Sequence, residues 1–268
     1  MARLQDKVIV ITGAARGIGE GVARTFHQEG ATVILTDILT DEGKAVVAEL
    51  GERAHFYELD VCQEKQWQDL MTWIEEKFGN LNGLVNNAGI TGLETTSNPH
   101  DPEHASLEDW RRVHEVNLDG TFLGCKYAIQ LMRRTKSAGS IINMSSRSGL
   151  VGIPAAAAYA SSKAAMRNHT KSVALYCAQQ ELPIRCNSVH PAAIMTHIWE
   201  PMLGTGEQRE RNIQKIVADC PMHRFGEVSE VAAVCVLLAS DEANYMNASE
   251  ITIDGGVLAG SFSAAPTE

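Results

Sequence analysis

The sequence predicts an α/β fold: a doubly wound parallel sheet with helices on both faces. Three observations carry this. Short β-branched runs alternate with amphipathic stretches of helical period along most of the chain. Five of the seven predicted strands run out into glycine, aspartate or asparagine, residues that turn a chain out of a sheet. Repeated strand–helix alternation then favours parallel strands joined by right-handed helical crossovers.

The first strand covers 7–11 and is β-branched from Val8 to Ile11. A glycine turn follows it. Residues 19–29 read as a helix, with Val22, Ala23 and Phe26 at helical spacing. A strand over 31–35 leads to Asp37, a helix covers 41–50, and a strand over 55–59 leads to Asp60. Residues 64–78 form an amphipathic helix whose apolar stripe is Trp67, Leu70, Met71 and Ile74. A strand over 81–85 ends in Asn86-Asn87-Ala88-Gly89. One long helix is expected over 107–132, a strand over 140–144, a helix over 158–177 and a strand over 184–189. A last strand over 250–253 precedes Asp254-Gly255-Gly256. Residues 194–226 fit this rhythm poorly and are expected to cover one end of the sheet. No Pro/Ser-rich linker or composition shift divides the chain. Residues 1–260 therefore read as one domain with a lid at 194–226, followed by a small polar tail over 261–268.

Composition excludes some functions without naming one. The chain has 268 residues, with 23 Lys and Arg against 33 Asp and Glu, a formal charge of −10. Such a chain lacks the basic footprint of a nucleic-acid binder or of a protein held on anionic membranes. The six cysteines, Cys62, Cys125, Cys177, Cys186, Cys220 and Cys235, show neither C-x-x-C nor zinc-ligand spacing. They read as free thiols of a reducing compartment, and no metal is expected. The apolar run at 8–11 is too short for a signal peptide, and nothing approaches the ~18 apolar residues of a membrane span. A cytoplasmic location is expected.

The turn Thr12-Gly13-Ala14-Ala15-Arg16-Gly17-Ile18-Gly19 follows a strand and opens a helix. Glycines there let the backbone approach a pyrophosphate seated on the helix N-terminus. The spacing is G-x-x-x-G-x-G rather than G-x-G-x-x-G, and glycine turns also join strands to helices for steric reasons alone. Asp37 raises the specificity, because it ends the second strand about where an acid meets the adenosine ribose. A carboxylate there repels a 2′-phosphate, and its neighbours Thr36 and Ile38 carry no cation. NAD is therefore expected over NADP. Arg16 is the opposing feature, since it can reach a phosphate from the glycine turn.

Tyr159 and Lys163 are four residues apart in a helical stretch and so share a face. A free tyrosine, with a pKa of about 10, is a poor base near neutrality. A neighbouring ammonium favours the phenolate, and a shift of ~3 units requires roughly 4 kcal/mol of differential stabilisation. Ser146 lies 13 residues before Tyr159, just past a predicted strand. Ligand sites of parallel sheets form beyond the carboxyl ends of the strands. Ser146 can bond a substrate oxygen there, with Ser145 and Ser148 as competitors. Asn86-Asn87-Ala88-Gly89 falls on the same rim. Asn117 interrupts a predicted helix, where asparagine is a poor former and can kink the axis or hold a water.

Together these residues resemble the short-chain dehydrogenase/reductase family, whose fold is a single-domain Rossmann fold. The resemblance runs from Thr12 to Asp254-Gly255-Gly256, nearly the whole chain. It implies that Gly13, Gly17 and Gly19, with Arg16 and Ile18 between them, form the phosphate turn. Asp37 matches the NAD-selecting acid, with Ile38 beside it, and Asp60-Val61 matches the adenine contact. Asn87, Ala88 and Gly89 match a cofactor segment. Asn117, Ser146, Tyr159 and Lys163 match the catalytic tetrad. In that tetrad tyrosine exchanges the proton and serine positions the substrate oxygen. Lysine holds the nicotinamide ribose and lowers the tyrosine pKa, and asparagine anchors a relay water. Pro191, Ile194 and Thr196 match a further cofactor segment, in which Ala192 replaces the usual glycine. Family members are commonly homotetramers joined through the helices of Asn117 and Tyr159 and through the last strand, so a homotetramer is expected.

The expected lid is rich in Met and Trp, which suggests a bulky, uncharged substrate. Ser146, Ser148, Tyr159, His197, Trp199 and Met202 are the expected substrate contacts. Locally, Ser188-Val189-His190-Pro191 and Ile194-Met195-Thr196 are similar to bacterial 3β/17β-hydroxysteroid and cyclic-alcohol dehydrogenases of the family. The expected activity is NAD-linked interconversion of a secondary alcohol, cyclic or steroid-like, and its ketone. An acyl-carrier-protein ketoreductase, a sugar or hydroxy-acid dehydrogenase, and a cofactor-binding sensor without turnover are the alternatives. Asp37 and the charge of −10, the apolar lid and the intact tetrad argue against them in turn.

Overall fold

A computed structural model describes residues 2–94 and 98–260. The expected tail 261–268 lies outside the described residues. The sheet has seven strands, all parallel: β1 (Val8–Thr12), β2 (Thr32–Asp37), β3 (Ala54–Glu58), β4 (Gly83–Asn86), β5 (Gly139–Met144), β6 (Ile184–Pro191) and β7 (Glu250–Ile253). Their order is β3-β2-β1-β4-β5-β6-β7. The chain builds outward from β1 to β3, then crosses back to β4 on the other side. This reversal leaves a crevice at the carboxyl ends of β1 and β4, where ligands of doubly wound sheets bind.

Both faces of the sheet are covered, which is why β1 is buried along its whole length. Ile9 and Ile11 point into one core with Val22 and Phe26 of α1 (Gly17–Gln28). Val8 and Val10 point into the other, with Trp67, Leu70 and Ile74 of α3 (Glu64–Phe78). α2 (Thr40–Leu50) flanks β2 and β3. The stripe on α3 is the predicted one, with all four residues buried.

Three differences from the sequence reading have physical causes. The expected single helix over 107–132 is α4 (Leu107–His114), one π-helical turn (Glu115–Asp119) and α5 (Gly120–Thr135). The wide turn is centred on Asn117, whose amide is engaged elsewhere. A helix also follows the excursion that the sequence reading did not find. Its sequence is apolar on almost every side, so it has no polar face to reveal a helical period. The helix at the first turn opens at Gly17, two residues earlier than expected.

Between β6 and that later helix the chain leaves the sheet. It forms a short 3-10 turn (His197–Trp199), α7 (Glu200–Leu203) and α8 (Gly206–Val217), and returns through one parallel bridge between Ile194 and Gly226. The unanticipated helix, α9 (Val228–Ala239), then packs against α1. α6 (Ala157–Gln179) precedes β6 and is longer than the expected 158–177. Among the described residues no helix is long and apolar enough to cross a membrane.

Candidate active site

The carboxyl ends of β1, β2, β4, β5 and β6 open into one cleft of about 750 Å³. The glycine turn forms its floor. Gly13 and Gly17 have φ of +62° and +64°, a region costly for any residue with a Cβ. A Cβ on Gly13 would also stand 2.8 Å from the Ala88 Cα, and one on Gly19 would collide with the Gly13 carbonyl. Asn87 locks the turn from β4: its Nδ2 donates to the Thr12 and Gly13 carbonyls at 2.9 and 3.0 Å. No side chain among the described residues caps α1 at Arg16. A close-packed glycine surface beneath an uncapped helix N-terminus is a fit for a diphosphate.

Asp37 stands beside this turn. Its carboxylate accepts from the backbone N–H of Ala15 at 2.9 Å and of Leu39 at 3.1 Å. Ile38 is exposed next to it, and both line the cleft with Arg16, Asp60 and Val61. Asp60 holds its own loop by accepting from the Cys62 N–H at 3.0 Å.

The four tetrad candidates converge from three elements. Asn117, fully buried in the π-turn, accepts from the Ile90 N–H at 2.8 Å and donates to the Ile90 carbonyl at 2.9 Å and to Ser162 Oγ at 3.0 Å. It therefore pins the loop after β4 to α6. Lys163 donates from Nζ to the Met144 carbonyl at 2.7 Å, and the ammonium lies 5.8 Å from the Tyr159 ring centroid. Burial pushes its pKa down to about 8. Ser146 follows β5, accepts from the Ser148 N–H at 3.1 Å, and its hydroxyl faces Tyr159, whose pKa it lowers. Gly89 packs closely on the tetrad: a Cβ there would stand 3.1 Å from Asn117 Oδ1 and 3.3 Å from Lys163 Nζ, so both side chains would have to shift slightly.

One electrostatic expectation changes. Burial raises the Tyr159 pKa, the Ser146 hydrogen bond opposes this, and the Glu94 carboxylate adds to the rise. Lys163 is not among the groups that lower the phenol: its ammonium donates to the Met144 carbonyl and lies beside the ring, 5.8 Å from the centroid.

Pro191 ends β6, and Ala192 donates its N–H to the Ile253 carbonyl at 3.0 Å. Ala192, Ile194 and Thr196 line the same cleft. The extra methyl of Ala192 thus sits on backbone held in the regular register.

All six expected substrate residues, His197 included, line the cleft, and two of them have a second contact. Ser146, Ser148, Tyr159 and Met202 line the cleft. Trp199 lines it too, but its ring also packs edge-on against Phe225 at 5.4 Å, over a small core of Leu203 and Val217. His197 lies on the phosphate turn: an added Cβ on Gly17 would stand 3.0 Å from its Cε1. Burial and the nearby Arg16 lower its pKa. Its position at the base of the excursion brings it back over α1, which no local spacing reveals.

Sequence reasoning missed several contributors. Thr12 Oγ1 accepts from the N–H groups of Asn87 and Ala88, both at 3.0 Å, joining the ends of β1 and β4. Asn143 accepts from Asn86 at 2.8 Å and donates to Thr170 at 2.9 Å beneath the rim. Leu93, Ile153, Ile216 and Val257 supply apolar walls. Thr12 had a signal, as a hydroxyl residue at a strand end before the glycines; the walls had none. Among the described residues no cluster of His, Cys, Asp and Glu could hold a metal ion.

The chain is similar to known proteins over nearly its whole length. A family model described as "Enoyl-(Acyl carrier protein) reductase" matches residues 13–258. The chain is 38% identical over 259 residues to the "NADP-dependent (R)-specific alcohol dehydrogenase" of Lentilactobacillus kefiri, covering 96% of this chain and 98% of that one. It is 38% identical to the "3-beta-hydroxysteroid dehydrogenase" of Comamonas testosteroni, covering 96% and 97% of the two chains. It is 37% identical to the "Cyclopentanol dehydrogenase" of the same species, covering 97% and 100%.

Proposed function

The chain belongs to the short-chain dehydrogenase/reductase family, and from that premise we propose that it interconverts a secondary alcohol and its ketone, with NAD as preferred cofactor. The observation that carries the reading is the Ser146–Tyr159–Lys163 constellation on the rim that also bears the glycine turn. Ser146 holds the substrate oxygen. Tyr159 removes the hydroxyl proton in oxidation and returns it in reduction. A nicotinamide held by the glycine turn and the segment from Pro191 to Thr196 would supply the hydride acceptor for oxidation and the hydride donor for reduction. Lys163 brings a positive charge against the phenol ring, and Asn117 holds the loop at Ile90 that faces it.

The cofactor is assigned to Gly13, Gly17 and Gly19, Asp37, Asp60 and Val61, Asn87 to Gly89, and the segment from Pro191 to Thr196. Asp37 supports NAD, because its carboxylate is anchored beside the turn where a 2′-phosphate would lie. This departs from the NADP-dependent relative, and Arg16 in the same cleft is the residue that opposes it. The apolar walls formed by Leu93, Ile153, Ile216 and Met222 support an uncharged, ring-shaped alcohol.

Exposed Leu107, Trp110, Phe122, Leu175 and Tyr176 on α4, α5 and α6 support a homotetramer built through these helices. The test is NAD and NADP reduction with cyclopentanol, a 3β-hydroxysteroid and open-chain secondary alcohols. Turnover of a cyclic alcohol with NAD at higher kcat/KM than with NADP is expected. Turnover confined to sugars or hydroxy acids, or faster with NADP, overturns the substrate or cofactor assignment.

A further inference from the structure

His190 is fully buried on β6, one residue before Pro191, and it belongs to none of the roles above. Its ring spans two partners. Nδ1 lies 3.2 Å from the carbonyl oxygen of Ser146, and Nε2 lies 2.8 Å from Ser188 Oγ. Residues two apart in a strand share a face, so β6 presents Ser188 and His190 together toward the end of β5. A carbonyl can only accept, which requires Nδ1 to carry the proton. Nε2 then accepts from the Ser188 hydroxyl, and one neutral tautomer satisfies the pair. Burial favours that neutral form.

The β5–β6 ladder ends at the Met144–Val189 pair, and beyond it the chain is tied by groups that belong to α6 or to its own turn. Lys163 Nζ bonds the Met144 carbonyl, Ser145 Oγ bonds the Lys163 carbonyl, and the Gly149 N–H bonds the Ser146 carbonyl. His190 adds a tie from β6 to the carbonyl of Ser146 itself. We infer that His190 is a positioning residue for Ser146: its Nδ1–H fixes the serine backbone so that the hydroxyl faces Tyr159. This inference rests on the proposed role of Ser146.

The test compares His190→Leu, which removes the donor, with His190→Asn, whose amide can restore it near Nδ1. Ser146→Ala serves as the control, with the best alcohol of the panel. His190→Leu is expected to lower kcat about tenfold or more, as small misplacements of reacting groups do. NADH binding, followed by fluorescence titration, should stay within about twofold, because the glycine turn is untouched. His190→Asn should recover most of the rate. A readout independent of turnover is the tyrosinate titration, parent minus Tyr159→Phe. It should move to higher pH in His190→Leu, because the Ser146 bond that lowers the Tyr159 pKa is lost. If His190→Leu fails to fold, the Asn variant decides, by keeping or losing the parent's rate and titration. Equal losses in Leu and Asn, or a Leu variant with parental kcat and titration, overturn the inference. A Ser146→Ala variant that retains turnover instead overturns the role of Ser146.

Discussion

The rim of the sheet and the 194–226 excursion face each other across one cleft, yet they are held in different ways. On the rim four polar side chains have fixed backbone partners: Asn87 on Gly13, Asn117 on Ile90, Lys163 on Met144, Asp37 on Ala15. These bonds are buried or partly buried and join residues far apart in sequence. The excursion hangs on one bridge between Ile194 and Gly226 and on a small core of Leu203, Val217 and Phe225. Its ion pairs, such as Arg209 with Glu200, are exposed and contribute little. The contrast teaches that reacting groups sit where the backbone is over-determined, while substrate shape is read by a loosely tied cover that can vary.

The sharpest way to break this comparison is Tyr159→Phe. Turnover should fall about 1,000-fold, within the range of lost general acid–base catalysis, while NADH binding persists. Retained turnover would remove the rim from the chemistry.

Next in size is the pH response of Lys163, whose pKa burial holds at about 8 against an ordinary 10.5. The unfolded chain binds this proton more tightly than the folded one. Stability relative to Lys163→Met should therefore rise as pH increases from about 8 to 10.5, by about 3 kcal/mol at most. Chemical denaturation of parent and variant at the two ends of that window measures it, and a flat difference would show the ammonium to be solvated.

Asp37→Ala should shift the NAD-to-NADP ratio of kcat/KM toward NADP by about 10- to 100-fold, roughly 1.4–2.8 kcal/mol. No shift would mean that Arg16 governs the choice. The smallest effect belongs to the excursion. Trp199→Ala should raise KM for a bulky alcohol by about tenfold with kcat nearly unchanged, the mark of lost uniform binding. An equal fall in kcat would instead join the excursion to the rigid catalytic rim.

The readability of the sequence follows the same divide. Tyr159 and Lys163, the glycine turn and Asp37 were legible because each is a local pattern: four residues on a helix face, or a turn between strand and helix. The cleft walls and the placement of His197 were not, because they depend on where a 33-residue excursion folds back. α9 escaped because it lacks a polar face, and His190 because its partners, Ser146 and Ser188, are identifiable only once β6 lies beside β5.

By itself the sequence determined the alternation of strands and helices, the acidic surface, the glycine turn and the spacing of the reactive side chains. These are short-range consequences of periodicity, backbone freedom and charge. Only the tertiary structure decided that Asn117 sits in a π-turn and holds Ile90, that His197 lies over Gly17, and that Lys163 donates to the Met144 carbonyl. Those outcomes depend on burying polar groups against partners from distant elements, and a buried polar group takes whichever partner the packing brings within hydrogen-bond reach.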